Sequence, residues 1–147
     1  MGAQIVEITL HVGYGTFEPV KVEEVEQHKV APEVVEISES AADAINSARA
    51  RGQRVVAVGT TPTRALESRA DLQGLVAAGK SLAEITITPG FDFRVTDVLL
   101  TNFHLPRSSL LLLVSAFTTR NLTLAAYRHA VEERYRFYSY GDCMLVI

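Results

Sequence analysis

The stretch Arg54-Val55-Val56-Ala57-Val58 constrains this chain most, because it is a short β-branched run with Gly52 before it and Gly59 after it. Such a run is too short for a buried helix and reads as a buried strand. Its flanks are helical. In residues 38–51, Ala41, Ala44, Ile45 and Ala48 fall on one face at helical spacing. Ser38, or Ser40 with Asp43, supplies a cap; Arg49 and Arg51 suit the negative end of the dipole, and Gly52 is a stop. After the strand, Gly59-Thr60-Thr61-Pro62 predicts a second helix with Thr61 as cap and Pro62 in the first position. Helix, strand and helix in this order form one α/β unit.

The remainder extends the alternation. Residues 5–11 read as a strand running into Val12-Gly13-Tyr14-Gly15, where two glycines suit a sharp turn or a close approach to a ligand. The acidic, valine-rich stretch 18–36 has room for one or two short strands. Residues 69–84 read as a loop with helical parts. Residues 84–88 predict a strand, Pro89-Gly90 a turn, and residues 91–94 a further strand. Residues 95–100 lead into a polar and aromatic loop over 101–106. Ser108 or Ser109 then caps a very apolar helix through Phe117. Asn121 caps another that ends near Tyr135, and residues 143–147 close the chain as a strand. The predicted fold class is α/β: a layered mixed or parallel sheet with helices on both faces. The chain begins directly before a strand and ends inside one, so neighbouring elements are expected to be missing.

Composition excludes several classes. With 147 residues, 48% apolar and 21% charged, the chain is an ordinary globular domain. The single cysteine, Cys143, rules out an internal disulfide framework and a multi-cysteine zinc site. The four histidines lack metal-ligand spacing, so no metal is expected. The longest apolar run, Leu110-Leu111-Leu112-Leu113-Val114, falls far short of the roughly 20 residues that span a bilayer. No membrane association is predicted, and a cytoplasmic location is. A net charge of −3 opposes broad electrostatic binding of nucleic acid, while leaving local arginine clusters open.

Three segments carry candidate chemistry. The first is Gly59-Thr60-Thr61-Pro62-Thr63-Arg64, at a strand-to-helix junction. Free amides, two hydroxyls and Arg64 there suit a phosphate, carboxylate or ribose. The plain alternative is a capped helix with Arg64 paired to Glu67 or Glu39. The second is Thr101-Asn102-Phe103-His104-Leu105-Pro106. Asn102 can read a base edge, Phe103 can stack, and His104 can exchange a proton near neutral pH. Its alternative is a turn in which Asn102 and His104 bond only local backbone. The third is His11 with Gly13, Tyr14 and Gly15. His28, in a charged stretch, is read as exposed.

These segments occur in the order Thr9-Leu10-His11-Val12-Gly13-Tyr14-Gly15-Thr16-Phe17, Val56-Ala57-Val58-Gly59-Thr60-Thr61, Pro89-Gly90-Phe91, Asp97-Val98-Leu99-Leu100-Thr101-Asn102-Phe103-His104-Leu105-Pro106 and Tyr138-Ser139-Tyr140-Gly141-Asp142. The ordered set resembles the S-adenosylmethionine:tRNA ribosyltransferase-isomerases of queuosine biosynthesis, over nearly the whole chain. The resemblance implies a transferase and isomerase that moves the ribosyl part of S-adenosylmethionine onto 7-aminomethyl-7-deazaguanine in tRNA, giving epoxyqueuosine. S-adenosylmethionine is then a co-substrate and tRNA a partner. It also implies that residues 1–147 are the C-terminal part of an α/β domain, without the family's inserted β-barrel; the alternatives to an active enzyme are an inactive fragment, a fragment completed by a separate chain, or a divergent nucleotide-binding relative without this activity. His104 is the implied proton-transfer residue and His11 the alternative. Gly13, Gly15, Thr60, Thr61, Arg64, Glu67, Pro89, Gly90, Asn102 and Phe103 are the implied substrate-binding set. Four positions depart from the family pattern. Ala31 stands where a second histidine is usual, Pro62 and Thr63 replace Ser-Val, and Thr88 replaces the tyrosine of Tyr-Pro-Gly.

Overall fold

The computed structural model describes residues 2–13 and 19–147. Among the described residues, two three-stranded sheets, four α-helices and a short 3-10 helix, Val25–Gln27, make up the fold. β1 (Thr9–His11), β2 (Glu33–Ile37) and β4 (Gly79–Ala83) form an antiparallel sheet in the order β1-β2-β4. β3 (Val56–Val58), β5 (Val98–Asn102) and β6 (Cys143–Val146) form a mixed sheet in the order β3-β5-β6. β3 and β5 run parallel, with Val58 beside Leu100, and β6 is antiparallel to β5. The helices are α1 (Glu39–Ala50), α2 (Thr60–Ser68), α3 (Ser109–Phe117) and α4 (Arg120–Glu132). The α/β class with layered, mixed strands is what the sequence predicts; the division into two sheets is not.

Each sheet has its own core. β2 alternates strictly, sending Glu33, Val35 and Ile37 inward. Val35 and Ile37 pack with Ala41, Ala42 and Ile45 of α1 and with Ala65 and Leu66 of α2. The second core joins Leu99 and Val146 of the mixed sheet to Leu113 and Val114 of α3. Burying each such aliphatic side chain is worth about 1.5–3 kcal/mol. The apolar run predicted as a core element is therefore one, inside the nine-residue α3. Among the described residues no single helix is long and apolar enough to cross a membrane.

The two faces of the mixed sheet differ. Across its three strands Ala57, Leu99 and Val146 form one buried row. The next row, Val58, Leu100 and Leu145, points to the other face, where Val58 is 68% exposed and Leu145 57%. β3 also pairs on one side only among the described residues.

Several local expectations are corrected. Ser38, not Ser40, caps α1, its Oγ accepting from the Ala41 amide at 3.1 Å. α2 begins at Thr60 rather than Pro62, with Gly59 in the cap position at φ +105°. That backbone lies in glycine's territory, and it lets β3 turn at once into the helix. α4 is capped by Thr119, whose hydroxyl accepts from the Leu122 amide, not by Asn121. The predicted loop at 69–84 contains β4; its glycine-rich composition is overridden by five ladder positions against β2. Residues 84–88 and 91–94 join no ladder. Ile85, Ile87, Phe91 and Phe93 are instead anchored by their side chains in the second core.

Candidate functional site

Parallel pairing of β3 and β5 brings two of the candidate segments to one end of the mixed sheet. The Gly59 amide donates to the Leu100 carbonyl at 2.7 Å, so the Thr60-Thr61 turn and residues 101–104 leave the sheet side by side. Their side chains then part. Thr60, Thr61 and Arg64 line a cavity of about 30 Å³ with Leu10, Glu33 and Ser109. Asn102 and His104 are not among its lining residues.

Arg64 is buried and fully committed. Its Nη1 pairs with Glu33 Oε2 at 2.5 Å, and Nε donates to the Ile85 carbonyl. Nη2 donates to the carbonyls of Ala31 and Ala83. Burial pulls the guanidinium's pKa down, while Glu33 opposes that shift. Neither Glu67 nor Glu39 is its partner. Glu33 takes that place and also accepts from the Gly13 amide at 2.8 Å. Ala31, where the family pattern has a histidine, presents its carbonyl to Arg64.

Glu67, one turn further along α2, is also buried. Its carboxylate accepts from three consecutive amides, those of Arg94, Val95 and Thr96, at 2.8 to 3.1 Å. Such a charge-assisted grip on backbone is structural in form.

The β5 end makes a second cluster. Thr101 Oγ1 lies 3.0 Å from His104 Nε2, and the His104 amide donates to the Tyr127 hydroxyl at 2.9 Å. Burial lowers the His104 pKa to about 4, so its imidazole is neutral at physiological pH. The Asn102 amide donates to the carbonyls of Gly141 and Asp142. Phe103 is buried in edge-on and tilted contact with Tyr127, Tyr135 and Phe137. The ring expected to stack on a purine thus has aromatic neighbours from its own chain.

The remaining candidates scatter. His11 ends β1 and is exposed. Pro89 and Gly90 form an exposed turn, closed by the Phe91 amide on the Thr88 carbonyl, with Gly90 at φ +96°. Gly15 and Tyr14 lie outside the described residues. Among the described residues no group of three or more His, Cys, Asp or Glu side chains is placed to hold a metal.

Two residues gain importance from the structure. His28, read as exposed, is 8% exposed, with Nε2 3.1 Å from Ser109 Oγ. The sequence offers Ser109 only as a helix cap, yet Ser108 caps α3 and Ser109 lines the cavity. The charge of Lys29 and Glu26 near His28 masked its burial.

Comparison with known proteins follows this geometry. The model of a family described as Queuosine biosynthesis protein matches residues 1–146. The S-adenosylmethionine:tRNA ribosyltransferase-isomerase of Moorella thermoacetica is 55% identical over 146 residues, which cover 99% of this chain and 43% of that protein. The protein of the same name from Cupriavidus pinatubonensis is 56% identical over 139 residues, 95% of this chain and 40% of the relative. A crystal structure of S-adenosylmethionine tRNA ribosyltransferase from Thermotoga maritima is similar at a TM-score of 0.70 and 43% identity. It is matched over 78% of this chain and 40% of its own. The chain thus spans less than half the length of the relatives it matches.

Proposed function

Because the chain belongs to the queuosine biosynthesis family, we propose that it serves S-adenosylmethionine-dependent ribosyl transfer to tRNA, as part of a larger active assembly. In this reading the ribosyl part of S-adenosylmethionine moves to the 7-aminomethyl-7-deazaguanine of tRNA and is isomerised, giving epoxyqueuosine. Adenine and methionine leave. The supporting observation is the parallel β3–β5 pairing, which sets the Thr60-Thr61 turn beside residues 101–104 at one sheet end.

The roles follow the chemistry each group retains. Thr60 and Thr61 hold the carboxylate or ribose at the N-terminus of α2. Arg64 and Glu67 shape that turn from behind, since their donors and acceptors are engaged within the fold. His104, neutral at physiological pH, is the proton-transfer group. His11 is the alternative base. Asn102 and Phe103 bound the purine through the walls they form. Gly13 sets the approach of the N-terminal segment through its bond to Glu33.

A separate polypeptide segment completes the domain. The support for this is the open row of Val58, Leu100 and Leu145 and the unpaired edge of β3. An edge strand with apolar side chains is a ready template for another strand. On this reading residues 1–147 are the C-terminal part of the family's α/β domain, without its β-barrel.

The test is reconstitution. The chain is mixed with the complementary segment of the Moorella thermoacetica relative, S-adenosylmethionine and tRNA carrying 7-aminomethyl-7-deazaguanine. Adenine release followed by chromatography is expected, and loss of that release in His104→Ala. No adenine from a complex that forms would overturn the assignment. Full turnover by His104→Ala would overturn the base.

A further inference from the structure

Residues 136–142 lead from α4 into β6, and their backbone is braced throughout. Arg136 and Asp142 close the loop. The Asp142 amide donates to the Arg136 carbonyl at 2.8 Å, and the Arg136 amide donates to Asp142 Oδ2 at 2.7 Å. Their side chains also pair, at 2.9 Å. Inside the loop, the Gly141 amide donates to the Tyr138 carbonyl. The Tyr138 amide donates to the Phe103 carbonyl, and the Asn102 side chain donates to the carbonyls of Gly141 and Asp142. The loop is thereby tied to the end of β5, next to His104 in the chain. It is also tight. A Cβ on Gly141 would run into the Arg136 carbonyl, and Tyr138 takes φ +75°, a left-handed conformation that is costly for a bulky side chain.

The aromatic side chains of this stretch divide. Tyr135 and Phe137 pack on Phe103. Tyr138 and Tyr140 touch no other ring among the described residues, and Tyr140 is 97% exposed. One exposed ring on a loose tail needs no explanation. A strained loop whose hydrogen bonds hold such a ring in water is arranged to present it. The chemistry around the ring selects its partner. From 136 to 142 there is no aliphatic side chain, so the apolar core of a protein interface is missing. Charge does not lead either. Arg128 and Arg134 are exposed and make no ion pair among the described residues, but Glu132 and Glu133 flank them, Arg136 is held by Asp142, and the net charge is −3. What remains is a rigid phenol ring beside the β5 end. Such a ring stacks on any base, because every base has a π-face. A purine that an enzyme modifies must first leave its stack, and the next base in the strand then shows an uncovered face.

We infer that Tyr140, displayed by the braced 136–142 loop, stacks on an unpaired RNA base beside the purine that is modified. The choice of RNA, and of that neighbouring base, rests on the function proposed above. Tyr140 holds the strand in place and exchanges no proton. The strained Tyr138 turn and the close approach at Gly141 fix the direction in which the ring points.

The chain has no tryptophan, so Tyr140→Trp sets a single fluorophore at the loop tip. The probes are an RNA hairpin with an unpaired loop and the same sequence annealed as a continuous duplex. Indole emission is expected to be quenched by the hairpin and not by the duplex. Tyr140→Ala is expected to weaken hairpin binding by about tenfold, and Tyr140→Phe to stay within about twofold of the unaltered chain. The loss in Tyr140→Ala should be the same at low and high salt, since a stacking contact releases no counterions. The melting temperature of these variants should not move, because the Tyr140 side chain packs against nothing in the fold. No quenching by the hairpin, equal quenching by the duplex, or unchanged hairpin affinity in Tyr140→Ala would each overturn the contact. So would an emission shift produced by the complementary segment of the Moorella thermoacetica relative and not by RNA, which would make the loop a protein interface. The contact and the function fail separately. Hairpin quenching without adenine release from the reconstituted assembly leaves the stacking contact and removes ribosyl transfer. Adenine release with an unchanged KM for tRNA in Tyr140→Ala does the reverse.

Discussion

The α2 cluster and the β5-end cluster are held by opposite means. At α2, a buried charge pair is saturated by three backbone carbonyls and one amide. At β5, every bond is between groups neutral at pH 7, and an aromatic cluster supplies the packing. The first arrangement is costly to disturb and insensitive to pH near neutrality. The second is cheaper to alter, and its histidine makes it sensitive to acid. Polar residues that look alike as binding candidates therefore divide into framework and working groups according to what their donors already hold.

Arg64→Ala is the strongest way to break this contrast. It removes the charge partner of the buried Glu33 carboxylate and the donors to the carbonyls of Ala31, Ile85 and Ala83, so a loss of about 3–5 kcal/mol is expected in urea denaturation. A loss below about 1 kcal/mol would mean the pair is not what holds the cluster.

Acid probes the other side. The His104 pKa is about 4 in the fold, against an ordinary value of about 6.5 when unfolded. Between these values the unfolded chain binds the extra proton. The contribution of His104 is therefore fully present above pH ~6.5 and is lost as pH falls towards ~4, on the order of 3 kcal/mol. Denaturation across that range should show this slope, and His104→Asn should flatten it. An unchanged slope would place the acid sensitivity elsewhere.

Tyr127→Phe is a smaller perturbation. It removes the acceptor of the His104 amide and should cost about 1 kcal/mol by thermal melting. Smallest of all is Thr60→Val. Its hydroxyl has no hydrogen-bond partner among the described residues, so thermal melting should show a stability change of no more than about 0.5 kcal/mol. A large stability loss here would reclassify Thr60 as framework.

Much of this was readable in the residues. The 38–51 helix, the 54–58 strand, the apolar α3 and the closing strand all announce themselves by periodicity and glycine punctuation. β4 did not, because residues 79–83 carry weak strand propensity and are ordered by pairing with β2, a partner more than forty residues away in sequence. Thr60 was visible at its strand-to-helix junction. The commitment of Arg64 was hidden, because its acceptors are Glu33 and the three carbonyls of Ala31, Ala83 and Ile85, and carbonyls leave no mark in a sequence. His28 was hidden for the converse reason: charged neighbours made a buried ring look solvated.

Glu67 and Arg64 give α2 a mechanical role. One carboxylate clamps residues 94–96 just ahead of β5, while one guanidinium clamps Ala31 and Glu33 at the start of β2 and Ala83 and Ile85 at the close of β4. A single nine-residue helix is thereby riveted to both sheets, and a push on its first turn is delivered to each as rigid-body torque. Amides 94–96 and the segment around residue 31 should consequently lose hydrogen-exchange protection together, as one unit, whenever α2 lifts.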